Sequence, residues 1–167
     1  YEENIGGGVL MDTAGYPLRA VRFFCGDVMT VDAATMFCDP DTGVSIWGSA
    51  FLSNMAGVGA SIAFGFDNFY QCHYEITGSV GKLRVARAYT PGPNLSTQIT
   101  IETAGDLQVV DVQPDNHFVG AILEFYSLIQ NKTKRSKHYH DIVAQSLALD
   151  DIKHKSIISV NEEEVNL

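Results

Sequence analysis

The chain has 167 residues, 46% of them hydrophobic, enough for one domain with a sizeable core, and a formal net charge of −9. That acidity argues against a nucleic-acid partner, since non-specific binding to a phosphate backbone rests on a basic surface, and no apolar run approaches the roughly 20 residues of a membrane-spanning helix. Cys25, Cys38 and Cys72 are far apart and form no CxxC pattern, so neither a disulfide framework nor a zinc site is indicated, and a reducing cytoplasm fits best.

The sequence opens on Tyr1 with no initiator Met, basic n-region or apolar h-region, the pattern expected of an excised domain or a trimmed chain. Gly6-Gly7-Gly8 leads into a helix predicted from Val9 to Cys25, with Gly26 as its natural stop. Pro17 disfavours helical geometry at Tyr16, so a kink or restart is expected at Gly15 to Pro17. If the segment is helical, Asp12 and Tyr16 stand at i and i+4 and project from one face. A carboxylate and a phenol on one surface can position and protonate a small oxygenated substrate. Arg22 reads as a core arginine that makes a salt bridge or binds a carbonyl.

From Val28 to Gln113 short groups of β-branched and aromatic residues, punctuated by turn chemistry, read as strands. Val28 to Phe37 closes on the turn Asp39-Pro40-Asp41-Thr42-Gly43. Val44 to Leu52 places Val44, Ile46, Ala50 and Leu52 on one side and Ser45, Trp47, Ser49 and Phe51 on the other. Gly57 to Phe66 has large residues on one face and small ones on the other, which leaves that side open to close approach by something flat. Tyr70 to Thr77, the Gly78-Ser79-Val80-Gly81 turn and Lys82 to Tyr89 form a predicted hairpin, with Glu75 expected to pair with Arg84 or Arg87. The rigid Pro91-Gly92-Pro93-Asn94 loop, a candidate border of a substrate cleft, precedes strands at Leu95 to Thr103 and Leu107 to Gln113.

Two helices are predicted at the end. Asp115 or Asn116 caps the first, whose Phe118, Ala121, Ile122, Phe125, Leu128 and Ile129 recur at amphipathic spacing. The basic cluster Lys132 to Lys137 reads as a solvated loop, followed by a helix from Asp141 to about His154. His138 and His140 have strand-like i, i+2 spacing and no evident third ligand, so they read as a solvated helix entrance. His73 is expected at a surface or interface, and Asn161 to Leu167 as a tail or short edge strand. The order of elements indicates an α+β fold: a largely antiparallel mixed β-sheet with helices packed on one face. The other face, with small residues, Trp47, Phe51 and His73, is expected to be covered by another subunit or domain.

Gly6-Gly7-Gly8-Val9-Leu10-Met11-Asp12 with Gly15-Tyr16-Pro17, then Arg22-Phe23-Phe24-Cys25-Gly26, resembles the start of the C-terminal domain of the Gfo/Idh/MocA family (glucose–fructose oxidoreductase, inositol dehydrogenase). Tyr74-Glu75-Ile76-Thr77-Gly78-Ser79-Val80-Gly81-Lys82-Leu83 is similar to that family's strand, Gly-x-x-Gly turn and strand, and Asp115-Asn116-His117-Phe118 with two helices is similar to its ending. The resemblance implies a Rossmann domain that binds NAD or NADP and belongs to the same parent chain but not to residues 1–167. Gly6-Gly7-Gly8 follows no strand, so it is not a phosphate loop, and the family's Glu-Lys-Pro lysine is also absent. This chain alone is therefore expected to bind no dinucleotide tightly and to transfer no hydride.

On composition alone Asp12 and Tyr16 read as an exposed acid and a half-buried tyrosine. The resemblance reverses that reading. It maps the family aspartate onto Asp12 and puts Tyr16 where many members have histidine, as in the sugar-ketoreductase branch. It implies catalysis and substrate binding by Asp12 and Tyr16, with Arg19 one turn further on able to reach a hydroxyl or phosphate. The expected function is the substrate-binding and oligomerisation domain of a cytoplasmic NAD(P)-dependent oxidoreductase acting on a sugar, possibly nucleotide-linked, with a homo-oligomer formed through the sheet. The alternative is a non-catalytic oligomerising or ligand-binding module that works through its open sheet face.

Overall fold

The computed structural model describes residues 7–160. The chain divides into two compact units, one of Tyr1–Phe69 with Lys137–Leu167 and one of Tyr70–Ser136.

In the first unit, helices α1 (Val9–Asp12) and α2 (Gly15–Cys25) precede strands β1 (Thr30–Cys38), β2 (Ser45–Ser53) and β3 (Gly59–Gly65). The two turns between these strands are built by side chains that satisfy local backbone donors. Asp39 Oδ1 accepts from the Thr42 hydroxyl (2.8 Å) and from the backbone N–H groups of Thr42 (2.8 Å) and Asp41 (3.2 Å), and these bonds hold its carboxyl below the usual range. Asn54 Oδ1 accepts from the Ala56 and Val58 N–H groups, while its Nδ2 donates to the Cys25 carbonyl at 2.8 Å and so anchors the β2–β3 turn to the end of α2.

The sheet order is β3-β2-β1-β8, with β8 (Ser156–Ser159) parallel to β1 and the other pairs antiparallel. Val31, Ala34 and Met36 of β1, Ala50 and Leu52 of β2, and Ile62 and Phe64 of β3 share one face. They form the core with Val9, Leu10, Ala14, Leu18 and Ile152. The helices therefore cover one face, as expected. Opposite, Phe37, Trp47 and Gly65 line up in one cross-strand row and Ala33, Phe51 and Ser61 in another. The rings of Phe37 and Trp47 stack at 5.7 Å between centroids. His73, grouped with these residues in the sequence reading, lies exposed in the other unit.

The second unit holds an antiparallel sheet in chain order: β4 (Tyr74–Thr77), β5 (Gly81–Val85), β6 (Thr97–Thr103) and β7 (Asp106–Val112). The α+β class and the predominance of antiparallel pairing hold, with the strands shared between two four-stranded sheets. Glu75 stands opposite Arg84, but the ion pair of this sheet forms between Lys82 and Glu102 at 3.1 Å, and Arg87 lies over the Tyr70 ring instead. Cys72, buried, donates from Sγ to the Tyr89 carbonyl and accepts from the Tyr89 N–H, which fixes the strand exit.

Helix α3 (His117–Gln130) is capped by Asn116, whose Oδ1 accepts from the Val119 N–H. Helix α4 runs without interruption over Lys132–Lys155. The basic cluster is thus helical and not a loop, because Asn131 alone makes the connection, its Oδ1 accepting from the Lys134 N–H. Lysine and arginine are good helix formers, and here they serve the end of α3. Arg135 donates to the Leu128 and Ile129 carbonyls, which the end of α3 leaves without helical partners, and Lys134 pairs with Glu124 at 2.6 Å. Strand β8 forms one edge of the first sheet; Asn161 to Leu167, expected as a tail or short edge strand, and Gly6 lie outside the described residues. Among the described residues no helix is long and apolar enough to cross a membrane.

Candidate active site

The break between α1 and α2 falls at Thr13 and Ala14, two residues before the expected kink. Its cause is still Pro17. A continuous helix would require the Pro17 nitrogen to donate to the Thr13 carbonyl, but proline has no N–H and its ring crowds that oxygen. Tyr16 N–H takes the Thr13 carbonyl instead, and the Thr13 hydroxyl turns back onto the Val9 carbonyl at 3.0 Å. Pro17 then sits in the first turn of α2, where a missing donor costs nothing. Before α1, Gly8 adopts φ 125°, and a Cβ there would meet Ser45 Oγ at 2.8 Å, so this backbone packs closely against β2 and only glycine suits it.

Leu10, Ala14 and Leu18, at i, i+4 and i+8, are all buried against the sheet. Asp12, the last residue of α1, and Tyr16, in the first turn of α2, are offset by two positions from that row and are exposed. Both are thus carried on the side away from the core, on either side of a helix break and not along one continuous helix. Arg19 is half exposed and pairs with the Asp141 carboxylate of α4 at 3.7 Å, which draws its guanidinium toward that helix.

Arg22 is 2% exposed and behaves as the core arginine expected. Its Nη1 donates to the Asp141 carbonyl (3.1 Å) and to Gln145 Oε1 (2.9 Å), and its Nη2 meets Asp27 Oδ1 at 3.3 Å. Gln145 Nε2 in turn donates to the Gly15 carbonyl at 3.0 Å. Gln145 was invisible to sequence reasoning, since its partner lies 130 positions away and no local pattern marks it. His138 and His140 sit on α4, where i and i+2 point to different faces.

The sequence profile of the GFO/IDH/MocA C-terminal domain matches residues 1–84, half of the chain. A dTDP-3,4-didehydro-2,6-dideoxy-alpha-D-glucose 3-reductase from Streptomyces antibioticus is 31% identical over 147 residues, 87% of this chain and 45% of that protein. The protein of the same name from Actinomadura kijaniata is 27% identical over 153 residues, 92% of this chain and 46% of its own length. Among solved structures, a variant of KijD10, a 3-ketoreductase from Actinomadura kijaniata in complex with TDP-benzene and NADP, superposes with a TM-score of 0.90 at 25% identity. That match covers 94% of this chain and 50% of the other. The chain spans about half the length of the relatives it matches.

Proposed function

This chain belongs to the Gfo/Idh/MocA family, as a C-terminal domain of it, and on that premise we propose that it forms the substrate-binding half of an NAD(P)-dependent reductase acting on a keto sugar linked to dTDP. The observation that carries this reading is the exposed Asp12/Tyr16 pair at the α1–α2 break, in a chain whose relatives are named as dTDP-sugar 3-reductases. The backbone at Gly8 does not suit a dinucleotide pyrophosphate. Gly8 packs on Ser45, and the helix that follows has only four residues. In this reading the nucleotide cofactor, supplying hydride, is held by a Rossmann domain of the parent protein, as the family likeness implies.

The work of this chain is on the substrate's oxygen. Reduction of a ketone creates an alkoxide, and the Tyr16 phenol delivers the proton that neutralises it. Asp12 accepts a hydrogen bond from a sugar hydroxyl and so orients the ring, while Arg19, with one edge engaged by Asp141, offers its remaining donors to a hydroxyl or phosphate. The test is to supply the full-length protein with dTDP-3,4-didehydro-2,6-dideoxy-glucose and NADPH or NADH. Oxidation of NADPH that depends on the keto sugar is expected. Failure to oxidise either cofactor with that sugar contradicts the reading.

A second role is favoured by the open face of the first sheet, where Trp47 and Phe51 are 43% and 46% exposed among small residues. A flat apolar surface of this kind fits a second copy of the chain, and self-association through it is compatible with catalysis.

A further inference from the structure

Helix α2 begins without the usual anchor. Ala14, at its N-cap, makes no side-chain capping hydrogen bond to the first turn. Yet this turn carries Tyr16, and general acid catalysis tolerates little error in where the acid stands. The turn is held from outside. Gln145 of α4 donates from Nε2 to the carbonyl of Gly15, the residue before Tyr16, at 3.0 Å. The opposite end of the same amide is fixed by Arg22, whose Nη1 donates to Oε1 at 2.9 Å.

The orientation of this amide has one solution. Flipping it would set its NH₂ against a guanidinium and its oxygen against a carbonyl, two repulsive contacts in place of two bonds. Arg22 is itself immobilised by the Asp141 carbonyl and the Asp27 carboxylate. A relay of fixed groups thus runs from the buried guanidinium through Gln145 to the peptide that begins α2.

We propose that Gln145 is a positioning residue for Tyr16, setting through the Gly15 carbonyl where the first turn of α2 presents its phenol to the substrate. The inference rests on the reading of Tyr16 as the proton donor. It assigns to Gln145 an effect on turnover and not on substrate affinity, because proton delivery is completed only in the transition state.

The test is a double-mutant cycle in the full-length enzyme with the dTDP-linked keto sugar and NADPH. Gln145→Met keeps the volume and removes both bonds. It is expected to lower kcat by about 10-fold or more with KM changed by less than about twofold. In a Tyr16→Phe background the same change is expected to have almost no further effect, since there is no longer a phenolic proton to misplace. A purely structural role would give losses that add in the two backgrounds, and additive losses, or no loss at all from Gln145→Met, overturn the proposal. If Tyr16→Phe itself turns over like wild type, the reading of Tyr16 falls and this inference with it. Should Gln145→Met not fold, Gln145→Glu keeps the Arg22 contact but replaces the donor facing Gly15 with a repelling oxygen, and the same cycle applies.

Discussion

Phe37 of β1 and Trp47 of β2 stand directly opposite each other in the strand register and stack nearly parallel, 13° apart, on the face of the sheet turned away from the buried core. Trp47 is the only tryptophan, so its emission reports on this face alone. If the face joins two copies, wild-type emission shifts to longer wavelength as dilution separates them. Trp47→Asp is expected to weaken self-association by about 30-fold or more, since truncating a central aromatic anchor costs about 2 kcal/mol or more. Sedimentation of the two proteins checks this. A wild type that stays monomeric at concentrations on the order of 10 μM contradicts the interface.

Arg22 and Asp27 form an ion pair in which the two partners contribute unequally. The guanidinium side chain is 1% exposed and the carboxylate 61%. Arg22→Met removes donors from the Asp141 carbonyl and from Gln145, and is expected to lower the unfolding free energy by about 3 kcal/mol. Asp27→Asn is expected to cost less than about 1 kcal/mol, because its charge is largely in water. Urea titration of the two variants measures both, and equal losses would show that the salt bridge, not the buried hydrogen bonding, dominates.

Burial pushes the Tyr89 phenol up to about 12, with neighbouring Cys72 and Tyr74 adding to the effect. The neutral phenol is the form the folded protein favours, while an unfolded tyrosine ionises near 10.0. Its contribution to stability is therefore complete below that value and is lost as pH rises through the interval toward about 12. An alkaline absorbance titration should show a late tyrosine that disappears in Tyr89→Phe, and the variant should lose thermal stability less steeply across the interval. Ionisation of Tyr89 together with the exposed tyrosines would contradict the assignment.

How much of this was legible in the sequence depended on the range of the interaction. The alternation of Ile46, Ala50 and Leu52 against Trp47, Ser49 and Phe51 named both faces of β2, because a period of two survives in any pairing. Pro17 announced a helix break and Asn116 a helix start, both set within four residues. The four-residue β8 carries no such signal. Ser156-Ile157-Ile158-Ser159 becomes a strand only by lying parallel to Ala34 through Phe37. The split into two sheets was hidden for the same reason, since alternation shows that a strand exists and not which strand it joins. For the proposed site, local spacing and family likeness put forward Asp12 and Tyr16, whereas nothing local pointed to Gln145 and its bond to Gly15. In the basic cluster, charge suggested solvent exposure, whereas Asn131 and the open carbonyls of α3 made those residues a helix start.

The role of Tyr16 is tested most directly by Tyr16→Phe in the full-length protein, which removes one oxygen from an exposed residue and leaves the packing of Leu10, Ala14 and Leu18 intact. Steady-state reduction of the dTDP-linked keto sugar by NADPH should fall by about 10² or more in kcat with binding of the sugar preserved. Wild-type turnover in that variant would contradict the assignment of Tyr16 as the proton donor.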